Sequence, residues 1–339
     1  MSFEAFLLVA AVLLVDVLVG DPRYRLHPIR LIGSFIGGGE RLLRSRGWNG
    51  YAGGVALLLV SVAVAAGAAA GVLSVLWAVS AVAGWIAYVV LGAHLVAVRD
   101  LAGHGLAIGR AADAGDLGEA RAATGMLVGR DTERLDAAGC NRAAIESLGE
   151  NLTDSVVAPL FYFTLFGLLG LLAFKVVSTA DSMVGYKSER FRRVGWASAR
   201  ADDVLAFVPA RLTWLLVVLA AAVLPGMSGR DAARCGVRQH ALVPGPNAGW
   251  SEASTAGALR LRLVGDVWRD GVKVVDGIWL GREEDREAAT LSDVRRAVLL
   301  IGVTTFLFMV VAFLVLAVAG VVPWPERLLA PWPPFGSTA

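Results

Sequence analysis

The sequence predicts an all-α protein: a multi-pass membrane helical bundle of about five to six apolar helices, one of them broken or re-entrant, with cytoplasmic helical loops. Of the 339 residues, 56% are hydrophobic and only 18% are charged, whereas a soluble globular chain has about 45–50% apolar and about 25% charged residues. Six segments also approach the roughly 20 apolar residues that cross a bilayer. The formal net charge of only +2 gives no reason to expect a nucleic-acid partner.

The six apolar segments differ in quality. In chain order they are residues 4–20, 52–77, 79–98, 155–177, 203–224 and 297–322. The second and third are nearly uncharged. The first contains Asp16, and an ionisable group at membrane depth usually faces protein or water. Segment 203–224 contains Arg211, whose cost in lipid predicts that this segment packs inward, tilts or enters without crossing.

The fourth apolar segment conflicts with a simple count of crossings. If residues 155–177 crossed the membrane, the following stretch, 178–202, would be external although it carries five basic residues. Short cytoplasmic loops are the ones enriched in Lys and Arg. We therefore predict that residues 155–177 enter and return, or break near Gly167–Gly170.

The polar stretches between these segments predict the domain organisation. We expect residues 1–339 to form a single integral membrane domain. Residues 99–154 have helix formers and acids near helix starts, which predicts a cytoplasmic helical insertion. Residues 225–296 are predicted to be a cytoplasmic loop region.

A first cluster of acids precedes the fourth apolar segment. Glu146, Glu150 and Asp154 are spaced four residues apart, so a helix projects all three from one broad face. Three like charges repel one another unless a cation or a basic partner lies among them, and oxygen ligands suit Mg²⁺. The alternative is a solvated helix face. Asn151 adds an amide beside the acids.

A second cluster mixes both signs of charge between two apolar segments. It includes Asp181, Lys187, Glu189, Arg190, Asp202 and Asp203. Basic side chains suit phosphate, and acids suit a metal. The alternative is an ordinary positive-inside loop whose acids pair with its bases.

Two shorter stretches complete the candidate site. The turn 21–30 has two X-Pro steps, which favour an extended, rigid backbone, and it carries Asp21, Arg23, His27 and Arg30. His27 could equally be a hydrogen-bonded structural residue. The stretch 246–257 carries Asn247, Trp250 and Glu252, which is a weak pattern alone. The sequence contains no Walker P-loop motif.

These stretches, in this order, resemble the CobD/CbiB family of cobalamin biosynthesis. The matching segments are GDPRYRLHPIRLIG (20–33), VRDL (98–101), VGRDT (128–132), ESLGENLTDSVVAPLFY (146–162), STADSMVGYKSERFRRVGWASARADDVLAFVPARLT (178–213) and PNAGWSEASTAGAL (246–259). The resemblance runs from about residue 5 to residue 260, and residues 260–296 match the family pattern poorly.

The resemblance implies an adenosylcobinamide-phosphate synthase of the inner, cytoplasmic membrane. Such an enzyme is an ATP-dependent ligase that joins a carboxylate of adenosylcobyric acid to the amine of 1-aminopropan-2-ol O-phosphate, or of a related phosphorylated amino alcohol. The expected cofactors are ATP and Mg²⁺, and the corrinoid is a substrate. Expected partners are these small molecules, the lipid bilayer and other cobalamin-assembly enzymes.

This chemistry gives each candidate residue an expected role. Glu146, Glu150 and Asp154 should hold Mg²⁺ or its waters, with Asp181 or Asp202 completing the site. Lys187 and Arg190 are assigned to the nucleotide or the transferring phosphoryl group, and Arg23 and Arg30 to the amino alcohol phosphate or to corrinoid side chains. The remaining candidates bind substrate: Asp21, His27, Asn151, Glu189, Asp203, Asn247, Trp250 and Glu252. All four stretches should line one cytoplasmic cavity, because the reacting groups must meet.

Two other classes of protein remain open from the residues themselves. A transporter for a charged solute would explain the ionisable residues inside apolar segments, such as Asp16 and Arg211. Against it, the charge is concentrated in loops and no inverted repeat is visible. A membrane scaffold for soluble enzymes would not need three acids on one helix face.

Overall fold

The computed structural model describes residues 2–22 and 24–319, and it forms helix in all six segments predicted to be apolar helices, the last of which is described up to residue 319. The elements are α1 (Ser2–Val19), α2 (Pro28–Ser45), α3 (Tyr51–Val79), α4 (Ala81–Ala93), α5 (Val98–Asp113), α6 (Leu117–Gly125), α7 (Ala137–Leu152), α8 (Ala158–Val184), α9 (Trp196–Leu205), α10 (Phe207–Val223), α11 (Gly229–Gln239), α12 (Ala248–Leu259), β1 (Leu263–Arg269), β2 (Val272–Leu280) and α13 (Leu291–Ala319). Residues Thr153–Val157, after α7, form a short π-helix. The predicted helical membrane bundle is confirmed.

Several of these helices meet the length and composition of membrane spans. Within the described residues, four helical stretches qualify, two of which contain a break, and a fifth does if α9 and α10 count as one bent span. The four are Tyr51–Val79, Ala81–Asp113, Ala137–Val184 and Leu291–Val318. A chain with this many long apolar helices is a membrane protein.

Helix α8 is a helical hairpin, because its direction reverses at Gly167. Gly167 has φ +63°, a value that favours glycine. The rings of Tyr162 and Phe174 stack across this break with centroids 5.3 Å apart, whereas twelve residues of straight helix would separate them by about 18 Å. The Leu168 N–H donates to the Tyr88 hydroxyl at 3.0 Å, which satisfies an amide at the start of the second arm. The predicted break in this segment is confirmed.

The described chain forms two compact units that interleave along the sequence. The first contains residues 2–22, 24–96, 159–202 and 309–319, and the second contains residues 97–158 and 203–308. The predicted insertion, 99–154, and the predicted loop region, 225–296, both fall in the second unit. Each unit is made of segments that are separated in the sequence. No single position in the sequence therefore divides the first unit from the second.

The second unit contains a two-stranded sheet, which departs from an all-helical fold. Strands β1 and β2 pair in antiparallel register, with Val267 opposite Val275 and Arg269 opposite Val272. Asp270 and Gly271 link the strands with φ values of +51° and +74°, as a two-residue hairpin turn of type I′ requires. Residues 225–296 are therefore not simply a loop region, since they contain α11, α12 and this β-hairpin.

Candidate active site

The candidate active site of the second unit forms where α7 crosses α12. A Cβ at Gly149 of α7 would lie 3.1 Å from the Thr255 Oγ1 and 3.5 Å from the Glu252 Cα of α12. Glycine therefore permits a closer approach here than a larger residue would. Most of α12 also consists of small residues, AGWSEASTAGAL. The crossing brings Glu252 beside the acids of α7.

Four carboxylates gather at this crossing. Glu146 and Glu150 lie one turn apart on α7, Asp154 lies in the π-helix that follows, and Glu252 comes from α12. Glu146, Glu150 and Asp154 all act electrostatically on Glu252. The structure thus joins a weakly indicated residue, Glu252, to the acid cluster that the sequence indicated most strongly.

One basic residue that the sequence analysis did not single out enters the acid cluster. The Arg130 Nη2 contacts the Glu146 Oε1, and the two side chains are only 11% and 10% exposed. The other oxygen of this carboxylate, Glu146 Oε2, is buried and has no hydrogen-bond partner within the described part of the chain. The available signal was the position of Arg130 in VGRDT, one of the segments that carry the family resemblance.

The acid cluster has an excess of negative charge. Glu252 is 5% exposed, and burial, followed by the charges of Glu150 and Glu146, raises the pKa of its carboxyl well above the ordinary value, although Arg130 opposes this. Buried like charges of this kind favour uptake of a proton or a cation. Glu150 itself is exposed.

The predicted three-carboxylate magnesium site is not preformed. Across residues 2–22 and 24–319, no group of three His, Cys, Asp or Glu side chains is placed so that it could hold a metal ion. One Glu146 oxygen is engaged by Arg130. Because Asp154 lies in the π-helix, its direction about the helix axis differs from the one that a continuous α-helix would give it. Mg²⁺ usually needs only one or two carboxylates together with substrate phosphates. Exposed Glu150 and the unbonded oxygen of Glu146 fit such a shared site.

The amide of Asn151, predicted to bind substrate, is bonded within its own helix. Its Nδ2 donates to the Ser147 main-chain oxygen at 3.0 Å and to the Ser147 Oγ at 3.2 Å. These bonds fix the orientation of the amide on α7.

A second group in this unit surrounds the start of α12. The Asn247 Nδ2 donates to the Asp203 main-chain oxygen at 2.9 Å, and the Arg211 Nη1 donates to the Asn247 Oδ1 at 2.8 Å. The Arg211 guanidinium lies 5.1 Å from the Trp250 ring centroid, and that ring stacks on His240 at 4.0 Å. Three predicted substrate residues, Asp203, Asn247 and Trp250, are therefore brought together. Arg211, which the sequence showed only as a costly charge, links Asn247 to Trp250.

In the first unit, the basic stretch 178–202 meets a buried acid that the sequence analysis did not assign. Glu40 of α2 is 3% exposed, and its carboxylate contacts Arg44 and, at 3.1 Å, Arg190. Burial raises the pKa of the Glu40 carboxyl, but hydrogen bonds from Arg190 and Arg44 outweigh it and hold the pKa below the ordinary value. Arg190, predicted to bind phosphate, is thus engaged in an ion pair. The sequence feature that could have identified Glu40 is its position as the single acid on α2, which also carries three arginines.

The other predicted residues of this stretch differ in their access to solvent. Lys187 and Glu189 are exposed, whereas Asp181 and Asp202 are half-buried. Of the two cations assigned to the transferring phosphoryl group, Arg190 is paired with Glu40, whereas Lys187 is exposed.

The turn 21–30 forms a compact aromatic and acidic group in the first unit. The His27 Nε2 contacts an oxygen of Asp21, and the rings of Tyr24 and His94 lie 5.5 Å and 5.2 Å from that of His27. Burial lowers the pKa of the His27 imidazole below its ordinary value, although Asp21 opposes this. His27 is thus a buried histidine with an acidic partner.

A largely apolar cavity of about 520 Å³ lies beside this turn. Helices α2, α3 and α4 line it, and Tyr24 and His94 contribute to its wall. Arg30 is exposed and donates to the Tyr24 main-chain oxygen at 3.3 Å. Arg23, predicted with Arg30 to bind phosphate, lies outside the described residues. The predicted residues therefore divide between the two units, and their convergence in a single cavity stays a prediction.

Comparison with known proteins places this arrangement in a family. The family model described as CobD/Cbib protein matches residues 8–301. A cobalamin biosynthesis protein CobD from Geobacter metallireducens is 44% identical over 77% of this chain and 82% of its own length. A protein of the same name from Klebsiella pneumoniae is 40% identical over 87% and 92%, and a cobalamin biosynthesis protein CbiB from Salmonella typhimurium is 38% identical over 86% and 91%.

No solved structure matches the chain. The family match covers both units, including every residue of the acid cluster and Arg130. Identity close to 40% extends over most of the chain and most of each relative. The chain therefore belongs to the CobD/Cbib protein family.

Proposed function

We propose that this chain takes part in cobalamin assembly as an adenosylcobinamide-phosphate synthase. The reaction would join a carboxylate of adenosylcobyric acid to the amine of 1-aminopropan-2-ol O-phosphate, or of a related phosphorylated amino alcohol, with hydrolysis of ATP. The observation that carries the proposal is the gathering of Glu146, Glu150, Asp154 and Glu252 around Arg130. Membership in a family whose relatives are named for cobalamin biosynthesis supports the choice of substrate.

The chemistry of amide formation explains why acids and a cation belong together. A carboxylate oxygen of the corrinoid attacks the γ-phosphorus of ATP, which gives an acyl phosphate and ADP. The amine then attacks the acyl carbon, loses a proton to a base, and expels inorganic phosphate. The first step needs cationic stabilisation of the transferring phosphoryl group, which we assign to Arg130 and Lys187. The second step needs a base, for which the carboxylates of the cluster are the candidates.

Magnesium would bind through Glu150 and Glu146 in this scheme. Bound there, Mg²⁺ would neutralise phosphate charge during the transfer. Asp154 and Glu252 surround those two acids and would hold waters or position the amine. Asp181 or Asp202 stays proposed as the ligand that completes the site.

The remaining candidates divide between the two units. In the first unit, Arg30 and Arg23 are proposed for the phosphate of the amino alcohol or for corrinoid side chains, with Asp21 and His27 beside them. In the second unit, Asn247 and Trp250 offer an amide and a flat ring edge to the corrinoid rim. We propose that the contacts with the substrates are completed by Glu189, Arg190 and Asp203.

We place the protein in the cytoplasmic membrane of its cell, with its polar sites on the cytoplasmic side. Its substrates would then come from soluble enzymes of cobalamin assembly, which are the proposed partners together with the bilayer. The five basic residues of stretch 178–202 support this orientation through the positive-inside rule.

The test is incubation of the purified protein in detergent with ATP, Mg²⁺, adenosylcobyric acid and aminopropanol phosphate. We expect the amide product, formed in equal amounts with ADP. The same protein in sealed vesicles serves as the control for the transporter alternative. Solute movement across the vesicle membrane without amide product would overturn the proposal.

A further inference from the structure

We propose that the β-hairpin formed by β1 and β2 is a positioning element, which holds the loop 129–131 so that Arg130 points into the acid cluster. The hairpin lies in residues 260–296, to which the sequence analysis gave no role, although the family model extends across them. Nothing in the proposed reaction assigns it a task. Its contacts, however, fall on both sides of Arg130.

The residues next to Arg130 are each bonded to the hairpin. The Gly129 main-chain oxygen accepts a hydrogen bond from the Arg269 Nε at 2.8 Å. The Asp131 carboxylate accepts the main-chain N–H groups of Asp270 and Gly271 at 3.0 Å and 2.8 Å, one on each oxygen. The left-handed turn exposes these two N–H groups together, so the carboxylate of Asp131 fits the hairpin tip.

Two further contacts bind the loop to strand β1. The Asp131 N–H donates to the Trp268 main-chain oxygen at 2.8 Å. The Arg134 guanidinium lies 4.1 Å from the centroid of the Trp268 ring. The backbone on either side of Arg130 is therefore held by main-chain and charge-assisted bonds, although this loop between α6 and α7 has no regular structure of its own.

Such fixation matters because Arg130 is a long side chain in a buried site. Ordering it against Glu146 costs rotamer entropy. A loop that is already fixed lowers the further entropy cost of orienting the guanidinium. This orientation affects the rate, because a displacement of about 1 Å at a reacting centre can lower the rate up to a hundredfold. The hairpin thus acts through Arg130 and needs no contact with substrate.

The test uses Asp131→Asn in the full-length protein in detergent, because the amide nitrogen of Asn cannot accept either N–H of the turn. Asp276→Asn is the matched control, since Asp276 lies on the same hairpin, is exposed and pairs with Lys273. Arg269→Met is a second variant, at an exposed position, that removes the bond to Gly129. Amide hydrogen exchange of residues 129–131 reads the loop directly.

We expect exchange at residues 129–131 to quicken about tenfold or more in Asp131→Asn and in Arg269→Met, and to stay unchanged in Asp276→Asn. The kcat of amide formation should fall about tenfold with the KM for the amine unchanged. In an Arg130→Met background, Asp131→Asn should cause no further loss of kcat. Unchanged exchange, or an equal loss in both backgrounds, would overturn the positioning role.

The kinetic readouts rest on the proposed function, whereas the exchange readout does not. If the wild-type protein formed no amide, the proposed ligase activity would fail. The exchange experiment would still decide whether the hairpin holds the loop, because it needs no turnover.

Discussion

Arg130 and Glu146 face each other in a nearly buried ion pair, with side chains 11% and 10% exposed, while Glu252 lies close enough to feel the charge of both. The pair lies among acids from two helices and from the π-helix after α7. Removing one partner of a buried ion pair leaves an unpaired charge, which costs about 3–5 kcal/mol. This relationship is the basis of the first prediction.

Arg130→Met should lower both stability and activity. We expect a lower melting temperature in detergent, because Glu146 loses its buried partner, and a loss of kcat of at least about a hundredfold, because the transferring phosphoryl group loses a cation. Arg130→Lys keeps the charge without the planar fork, so its kcat should be intermediate. A methionine variant that turns over at the wild-type rate would limit Arg130 to a structural role.

Glu150→Gln should abolish turnover and leave the protein folded. The substitution keeps the shape of an exposed side chain and removes the charge that we assign to the magnesium site. The measurement is product formation across a range of Mg²⁺ concentrations, with Glu119→Gln on the exposed surface of α6 as the control. Near-wild-type activity with the same Mg²⁺ dependence would count against Glu150 as a ligand.

Glu252→Gln should stabilise the metal-free protein at neutral and alkaline pH. The pKa of Glu252 in the folded protein lies well above its ordinary value of 4.5. Above that ordinary value the unfolded chain releases a proton that the folded chain retains, so stability falls as pH rises towards the folded pKa, by about 1.4 kcal/mol for each unit of pKa difference. The glutamine variant lacks this loss.

Thermal unfolding at pH 5 and pH 8, in a chelator, checks this sign. We expect the melting temperature of Glu252→Gln to exceed that of the wild type at pH 8 and to approach it at pH 5. A variant less stable than the wild type at pH 8 would show that the charge of Glu252 is compensated in the folded protein.

Lys187→Met and Arg30→Met should give different kinetic defects. Lys187 is assigned to the transferring phosphoryl group, so its loss should lower kcat. Arg30 is assigned to the phosphate of the amine substrate, so its loss should mainly raise the KM for that substrate by about tenfold or more. The same defect in both variants would show that this division of the two phosphates is wrong.

Much of the fold could be predicted because apolar length and charge asymmetry are local features of the chain. The break in segment 155–177 followed from basic residues on its far side, and Gly167 is the residue at which the chain reverses. The β-hairpin was missed, although the Asp270–Gly271 dipeptide, with Val267 before it and Val272 after it, is a strong hairpin signal. Long apolar helical segments dominate the sequence pattern, and this short sheet contributes little to it.

The candidate site was predictable where its residues share one helix face and less so where they meet through tertiary packing. Glu146 and Glu150 follow from four-residue spacing alone. Glu252 joins them only because α12 approaches α7 at Gly149, and Arg130 joins them from a loop sixteen residues upstream of Glu146. Glu40 was missed for the same reason, since its partner Arg190 is 150 residues away.

The most direct measurement follows an oxygen atom from the corrinoid to phosphate. Adenosylcobyric acid labelled with ¹⁸O in the reacting carboxylate is incubated with the protein, ATP, Mg²⁺ and aminopropanol phosphate, and the inorganic phosphate is analysed by mass spectrometry. Activation through an acyl phosphate predicts one ¹⁸O atom in each phosphate released, in step with amide formation, and neither signal in Glu150→Gln. Phosphate without the label, or ATP hydrolysis that does not depend on the corrinoid, would contradict the account.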